Sequence, residues 1–246
     1  MEKEKRKQMI KMWVAILVLA IIFIIVGAVM IQYEVEGDKS KPFNLSKIVV
    51  VSTAEGMESD GKNKWNFKVF QNNDVYIYID KNENYHGSNG EIKKVRIENI
   101  KITKSPEVGE VKVYMPSSKE GRLYNYDEAY IVNDKLEYKG ANKSNSQTLE
   151  IGAQGGCALI RFSNTNLGEY SSDKDKEIIH DGSLIKKLEL DEEKIKFEVS
   201  FDLVIEVANY SHRANIKLEM PYDNISEKGT TSFEKTDMSD VIFKRE

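Results

Sequence analysis

Residues Phe197–Val207 read FEVSFDLVIEV, and their alternation decides the fold. Phe197, Val199, Phe201, Leu203, Ile205 and Val207 share one parity; Lys196, Glu198, Ser200, Asp202 and Glu206 share the other, and only Val204 is out of pattern. Successive side chains of a strand point to opposite faces, so this is a long antiparallel strand with one face on a core and the other in water. Ile216, Leu218 and Met220 supply its hairpin partner, joined through Asn209–Asn215, and Val241, Ile242 and Phe243 read as a closing strand.

The same period runs upstream. Trp65, Phe67 and Val69 alternate with polar neighbours, and Val75, Ile77 and Ile79 oppose Tyr76 and Tyr78. Val95 and Ile97 continue an alternating face until the phase slips at Glu98-Asn99 before Ile100 and Ile102, the mark of a β-bulge. Turn-rich segments at Asn82–Gly90, Ser117–Gly121, Lys139–Ser146, Ser171–Asp175 and Tyr222–Gly229 separate the runs. Ser183–Lys194 has Leu184, Ile185 and Leu188 at helical spacing, although Leu188 and Leu190 also fit a strand. The expectation is an all-β chain, an antiparallel β-sandwich over 47–246, with a possible split into two domains near 140–147.

Ahead of the strands, Met12–Ile31 reads MWVAILVLAIIFIIVGAVMI without a charge. At 1.5 Å per residue a helix of this length spans about 30 Å, the hydrocarbon thickness of a bilayer. Residues 1–11 carry five positive and two negative groups, whereas Glu34, Glu36 and Asp38 follow the helix. Positive flanks stay in the cytoplasm. The expectation is therefore a single-pass plasma-membrane protein with a cytoplasmic basic N-terminus at 1–11, a transmembrane helix at 12–31, a tether at 32–46 and an extracellular domain beyond it. A cleaved signal peptide would have a shorter apolar region and a small-x-small site, and Gly27-Ala28-Val29-Met30 makes only a poor one.

Residues 12–246 carry 31 positive and 38 negative groups. Such an acidic domain repels phosphate backbones, so nucleic acid is excluded as a partner. One cysteine, Cys157, permits no internal disulfide. That absence, with abundant Lys, Asn, Ile and Glu, fits a Gram-positive bacterial surface.

Cys157 leads the candidates for chemistry. With Ala158, Ile160 and Phe162 facing the core, Cys157 and Arg161 share the opposite face of one strand, and a guanidinium near a thiol favours the thiolate. His86 would complete a Cys–His–Arg set. The plain alternative is a small residue packed in a sheet, with Gly155-Gly156 marking a bend or bulge where backbones approach closely. In the loop Asp80–Glu91 (DKNENYHGSNGE), Asp80, Asn82, Asn84, Ser88 and Glu91 fall at positions 1, 3, 5, 9 and 12 of a calcium loop. Tyr85 stands where that loop needs glycine, so a plain hairpin loop is expected, with no metal and no cofactor. His180-Asp181 and Ser183 are neighbours in sequence, which does not make a triad. Tyr114, Tyr124, Tyr126, Tyr130 and Tyr138 crowd the middle of the chain and suit either sugar stacking or coverage of the core.

An N-terminal anchor, a β-rich exported part and a single Cys with His and Arg together resemble the layout of sortases. Here Ala-Gln-Gly-Gly-Cys157 stands in place of the sortase Thr-Leu-x-Thr-Cys, and Arg161 lies closer to the cysteine than the sortase arginine does. In overall style the chain also resembles single-pass membrane proteins of low-GC Gram-positive bacteria, a likeness that implies no activity. The expected function is a non-catalytic envelope protein that binds or scaffolds another envelope protein or a cell-wall polymer. The alternatives are an envelope cysteine enzyme using Cys157 and an accessory subunit of a membrane complex.

Overall fold

The computed structural model describes residues 2–33, 41–59, 64–87, 90–117, 123–126, 136–140, 150–173, 183–208 and 210–246. The chain is mostly β, in two antiparallel sheets, with one apolar N-terminal helix. That helix, α1 (Glu2–Tyr33), contains a span at Met9–Ala28 long and apolar enough to cross a membrane, none of it buried against the rest of the chain. Of the expected tether at 32–46, residues 34–40 lie outside the described residues, while 32–33 end this helix and the first strand already begins at Phe43; residues 141–147 of the expected split near 140–147 and the His180-Asp181 pair also lie outside the described residues.

The five-stranded sheet joins β1 (Phe43–Ser59), β2 (Lys64–Lys81), β7 (Gly155–Asp173), β4 (Glu110–Tyr114) and β10 (Thr230–Lys235) in the order β10-β1-β2-β7-β4. The six-stranded sheet has the order β11-β9-β8-β3-β5-β6, from β3 (Ile92–Lys104), β5 (Leu136–Gly140), β6 (Glu150–Ile151), β8 (Phe197–Val207), β9 (Tyr210–Met220) and β11 (Lys244–Arg245). All neighbouring strands are antiparallel except β5 and β6, which pair parallel over two residues.

β8 coincides with the alternating run that announced it, and Val204, the residue out of pattern, is also buried. Its cross-strand neighbours are Arg96 and Arg213. Arginine stems can cover an apolar neighbour while their heads stay wet. The phase slip in β3 is a register shift between Glu98 and Lys101, with Asn99 at φ 53°. Two expectations are corrected. The connection from β8 to β9 is short, because the chain reverses around Ala208 (φ 53°) and Ser211–Asn215 already lies in β9. Val241–Phe243 is not a strand; Val241 and Phe243 instead enter the core as the chain leaves β10 for β11. In Ser183–Lys194 the structure resolves the ambiguity as two short helices, α2 (Ser183–Lys187) and α3 (Glu192–Ile195).

Buried residues of both sheets build one apolar cluster: Ile48, Val50, Val75, Ile77, Ile160 and Phe162 from one, and Val95, Ile97, Phe201, Leu203, Ile205 and Ile216 from the other. A second, smaller cluster forms where β1, β2 and β7 continue and α2 and α4 (Ile225–Lys228) pack on them, around Val69, Leu167, Leu184, Ile185 and Ile225. A polar seam crosses the sheet between the two. Ser52 Oγ donates to Asn73 Oδ1 at 2.6 Å, Gln71 Nε2 to the same oxygen at 2.6 Å, and Asn73 Nδ2 to Gln71 Oε1 at 2.9 Å. All three residues are fully buried, so the bonds are needed to offset their desolvation.

Candidate functional site

Strand pairing sets Arg161 of β7 between Asp74 of β2 and Tyr114 of β4, on the sheet face away from the main core. Arg161 Nε donates to Asp74 Oδ1 at 2.6 Å and Nη2 to Oδ2 at 2.7 Å. This planar fork is the strong form of an arginine–carboxylate pair. Only 12% of either side chain is exposed. Residues 115–117 and 123–126 fold over the pair. Pro116 and Tyr124 bridge, Asn125 N–H donates to Met115 O at 2.9 Å, and the buried Tyr124 ring lies 4.2 Å from the guanidinium carbon. Arg161 Nη1 also donates to the Tyr126 hydroxyl.

Burial opposes the charge on Arg161, but Asp74 outweighs it and holds the guanidinium above its ordinary value. Burial likewise pushes the Tyr124 hydroxyl far up, and the Asp74 carboxylate adds to this. Neither group exchanges a proton near neutral pH. Tyr114 and Tyr126 meet edge-on at 5.5 Å, so three of the clustered tyrosines do converge, as a cover over an ion pair. The side chains of Tyr130 and Tyr138 lie outside the described residues.

Cys157 shares this face, opposite Tyr78 and two alternate positions from Arg161. Its thiol is half-buried, and burial pushes its pKa up, partly offset by the Ile77 main chain and the Tyr78 hydroxyl. The Arg161 fork is committed to Asp74, and no hydrogen bond joins Cys157 to Arg161 or to the exposed His86 in the loop after β2. Gly155 is held where backbones meet. It has φ 120°, and a Cβ there would stand 2.2 Å from Ile79 O.

In the Asp80–Glu91 loop, Asn82 is buried and turned inward. Its Nδ2 donates to Lys41 O at 2.7 Å and its Oδ1 accepts the Asn84 N–H at 3.0 Å. Asp80, Asn84 and Glu91 are exposed, and Ser88 lies outside the described residues. Among the described residues, no three His, Cys, Asp or Glu side chains gather as a metal site.

Sequence reasoning missed a cleft of about 740 Å³ between β9 and β10. Lys217, Leu218 and Glu219 of β9 and Phe233, Glu234 and Lys235 of β10 line it, and Lys196, Pro221–Asp223, Thr236, Asp237, Ser239 and Asp240 complete the lining. Tyr222 stacks on Phe233 at 4.6 Å with the rings 16° apart. Lys196 bridges Glu193 and Asp223 at 2.6 and 2.9 Å, and these carboxylates raise its pKa. The cleft draws on two strands from different sheets, and no local pattern in either strand could have announced it. No known protein family, curated protein or solved structure matches the chain.

Proposed function

We propose that this chain is a membrane-anchored envelope protein whose extracytoplasmic part binds or scaffolds another envelope protein or a cell-wall polymer, without catalysis. The observation that carries the reading is α1. Its 20-residue apolar span is entirely unburied, and an apolar surface of that length left uncovered in water is untenable, whereas in a bilayer it is at home. The positive groups Lys3, Lys5, Arg6 and Lys7 before the span, with Lys11 at its first turn, orient the N-terminus to the cytoplasm and residues from 43 onward to the outside.

In this reading the exported part is one β-sandwich. Its support is the single cluster that joins Ile77 and Phe162 of one sheet to Leu203 and Ile216 of the other, with residues from both sides of 141–149. A binding role is favoured over a cysteine enzyme because the one thiol is raised by burial and the nearby arginine serves a carboxylate. An unactivated thiol is a poor nucleophile.

Protease added to intact protoplasts tests the placement. The part from Phe43 onward should be degraded while the membrane-embedded fragment survives. Full protection of that part would overturn the reading.

A further inference from the structure

β10 is the last strand of its sheet, with β1 on its one paired side. Ala54 N–H donates to Gly229 O at 2.8 Å, which fixes the phase of the ladder that continues from Thr53–Thr230 to Ile48–Lys235. Thr231, Phe233 and Lys235 therefore turn their main-chain groups toward β1, and Thr230, Ser232 and Glu234 turn theirs outward. All three outward residues are exposed, and no described residue hydrogen-bonds to their main chain. Edges of this kind are usually blunted by charge, proline or a bulge. Thr230-Thr231-Ser232, next to the cleft, has neither charge nor proline, the one charged outward residue, Glu234, is paired with Lys47, and the β1–β10 register runs without a shift. Across the cleft, β11 covers only His212 and Arg213 of β9, and beyond them Lys217 and Glu219 guard that edge with charge.

The cleft beside β10 has a definite chemistry. Glu219, Asp223, Glu234, Asp237 and Asp240 line it against Lys196, Lys217 and Lys235, an excess of two negative charges. Lys196 and Lys235 already have carboxylate partners, whereas Glu219 and Asp237 have no ion-pair partner among the described residues. The apolar part is Leu218 with the stacked Tyr222 and Phe233.

We propose that this cleft takes an extended polypeptide segment of a partner protein, added as a further strand to the outer edge of β10, with its basic side chains toward Glu219 and Asp237 and its apolar ones toward Phe233 and Tyr222. Main-chain pairing supplies affinity in such strand addition, and alternate side chains supply selectivity. The proposal rests on the envelope-binding reading only in treating the β-rich part as a binding part.

The test uses the full chain in nanodiscs and a fluorescent peptide of about eight residues alternating lysine and valine, long enough for one strand. Saturable binding is expected for this peptide. It should be absent for a glutamate–valine peptide and for one with proline at alternate positions, which lacks the donors for pairing. Ser232→Pro removes an outward N–H and should weaken binding by about tenfold or more. Glu219→Lys with Asp237→Lys should do the same, and decides the matter if Ser232→Pro fails to fold. Equal binding of the acidic or proline peptides, or undiminished binding by both variants, would overturn the proposal. So would capture of a β-linked N-acetylglucosamine oligomer in place of the peptide. Loss of the groove while the chain still crosslinks to a partner in envelope membranes removes this assignment alone; protease protection of the β-rich part removes the envelope reading alone.

Discussion

Removing Asp74 is the most informative single change. Asp74→Ala deletes both bonds of the Arg161 fork, at 2.6 and 2.7 Å, and leaves a guanidinium whose side chain is 12% exposed. Arg161 keeps the Tyr126 hydroxyl and the Tyr124 ring, neither of which carries a compensating charge. Breaking a buried pair from one side costs about 3–5 kcal/mol, and slight exposure places this case at about 3 kcal/mol. For a folded part of this size each kcal/mol lowers the melting temperature by about 2–4 °C, so the expected drop is about 6–12 °C. Adding Arg161→Met to Asp74→Ala removes the orphaned charge and should restore at least half of the loss. Thermal unfolding of the full chain in detergent, followed by far-UV circular dichroism, reads both. A drop below about 2 °C for Asp74→Ala, or no recovery in the double variant, would refute the view of Arg161 as a structural clamp.

Acid should weaken the outer face of the six-stranded sheet. Burial of Glu98 favours its neutral form, but hydrogen bonds from Arg96 and Arg213 outweigh this and hold its pKa down; Asp202 is likewise lowered, by Asn215, Asn99 and Arg213 against its own burial. A carboxylate depressed in the folded state stabilises above its unfolded pKa and loses that contribution as pH falls through the folded value. The melting-temperature difference between wild type and Glu98→Gln should therefore be largest near pH 7 and shrink below about pH 4. A difference independent of pH would count against it. Cys157→Ala should fold and keep its cellular role, and alkylation of the wild-type thiol at neutral pH should be slower than that of a free thiol; rapid stoichiometric labelling, with loss of function in Cys157→Ala at unchanged melting temperature, would instead favour the cysteine enzyme. Calorimetry should detect no micromolar calcium binding, since both ends of the Asn82 amide already serve the chain; binding lost on Glu91→Ala would prove otherwise.

Where burial repeats along one strand, the sequence was legible. The alternation of Phe197–Val207 reports a single element facing a single core, and even the Glu98-Asn99 slip was visible because a bulge shifts every later side chain to the other face. The shared face of Cys157 and Arg161 followed from the same parity. Partners across strands were not legible. Nothing near Arg161 in sequence names Asp74, which lies 87 residues away and is brought opposite it only by the register of β2 and β7. Val241–Phe243 misled because a run that enters an apolar cluster from a connection and a run that joins a sheet are equally apolar; what separates them is where the main-chain hydrogen bonds go. The β9–β10 cleft is a product of two edges meeting, and it becomes visible only once the strands are assembled.

The seam of Ser52, Gln71 and Asn73 has a consequence for how the long hairpin finds its pairing. Sliding β2 by two residues against its neighbours leaves every side chain on its own face, so alternation alone does not forbid the slip. With the observed pairing, Val75 sits between Val50 and Ile160 in the dry cluster, while Asn73 meets Ser52. A two-residue slip would carry the Asn73 carboxamide into the place of Val75, away from the Ser52 hydroxyl that donates to it and the Phe162 carbonyl that accepts from it, while the Gln71 bonds travel with the strand, at a cost of about 1–3 kcal/mol for each stranded polar group. The seam is thus an index mark written in amides: among mismatched hairpins that bury nearly the same oil, it singles out the one in which the polar row closes on itself.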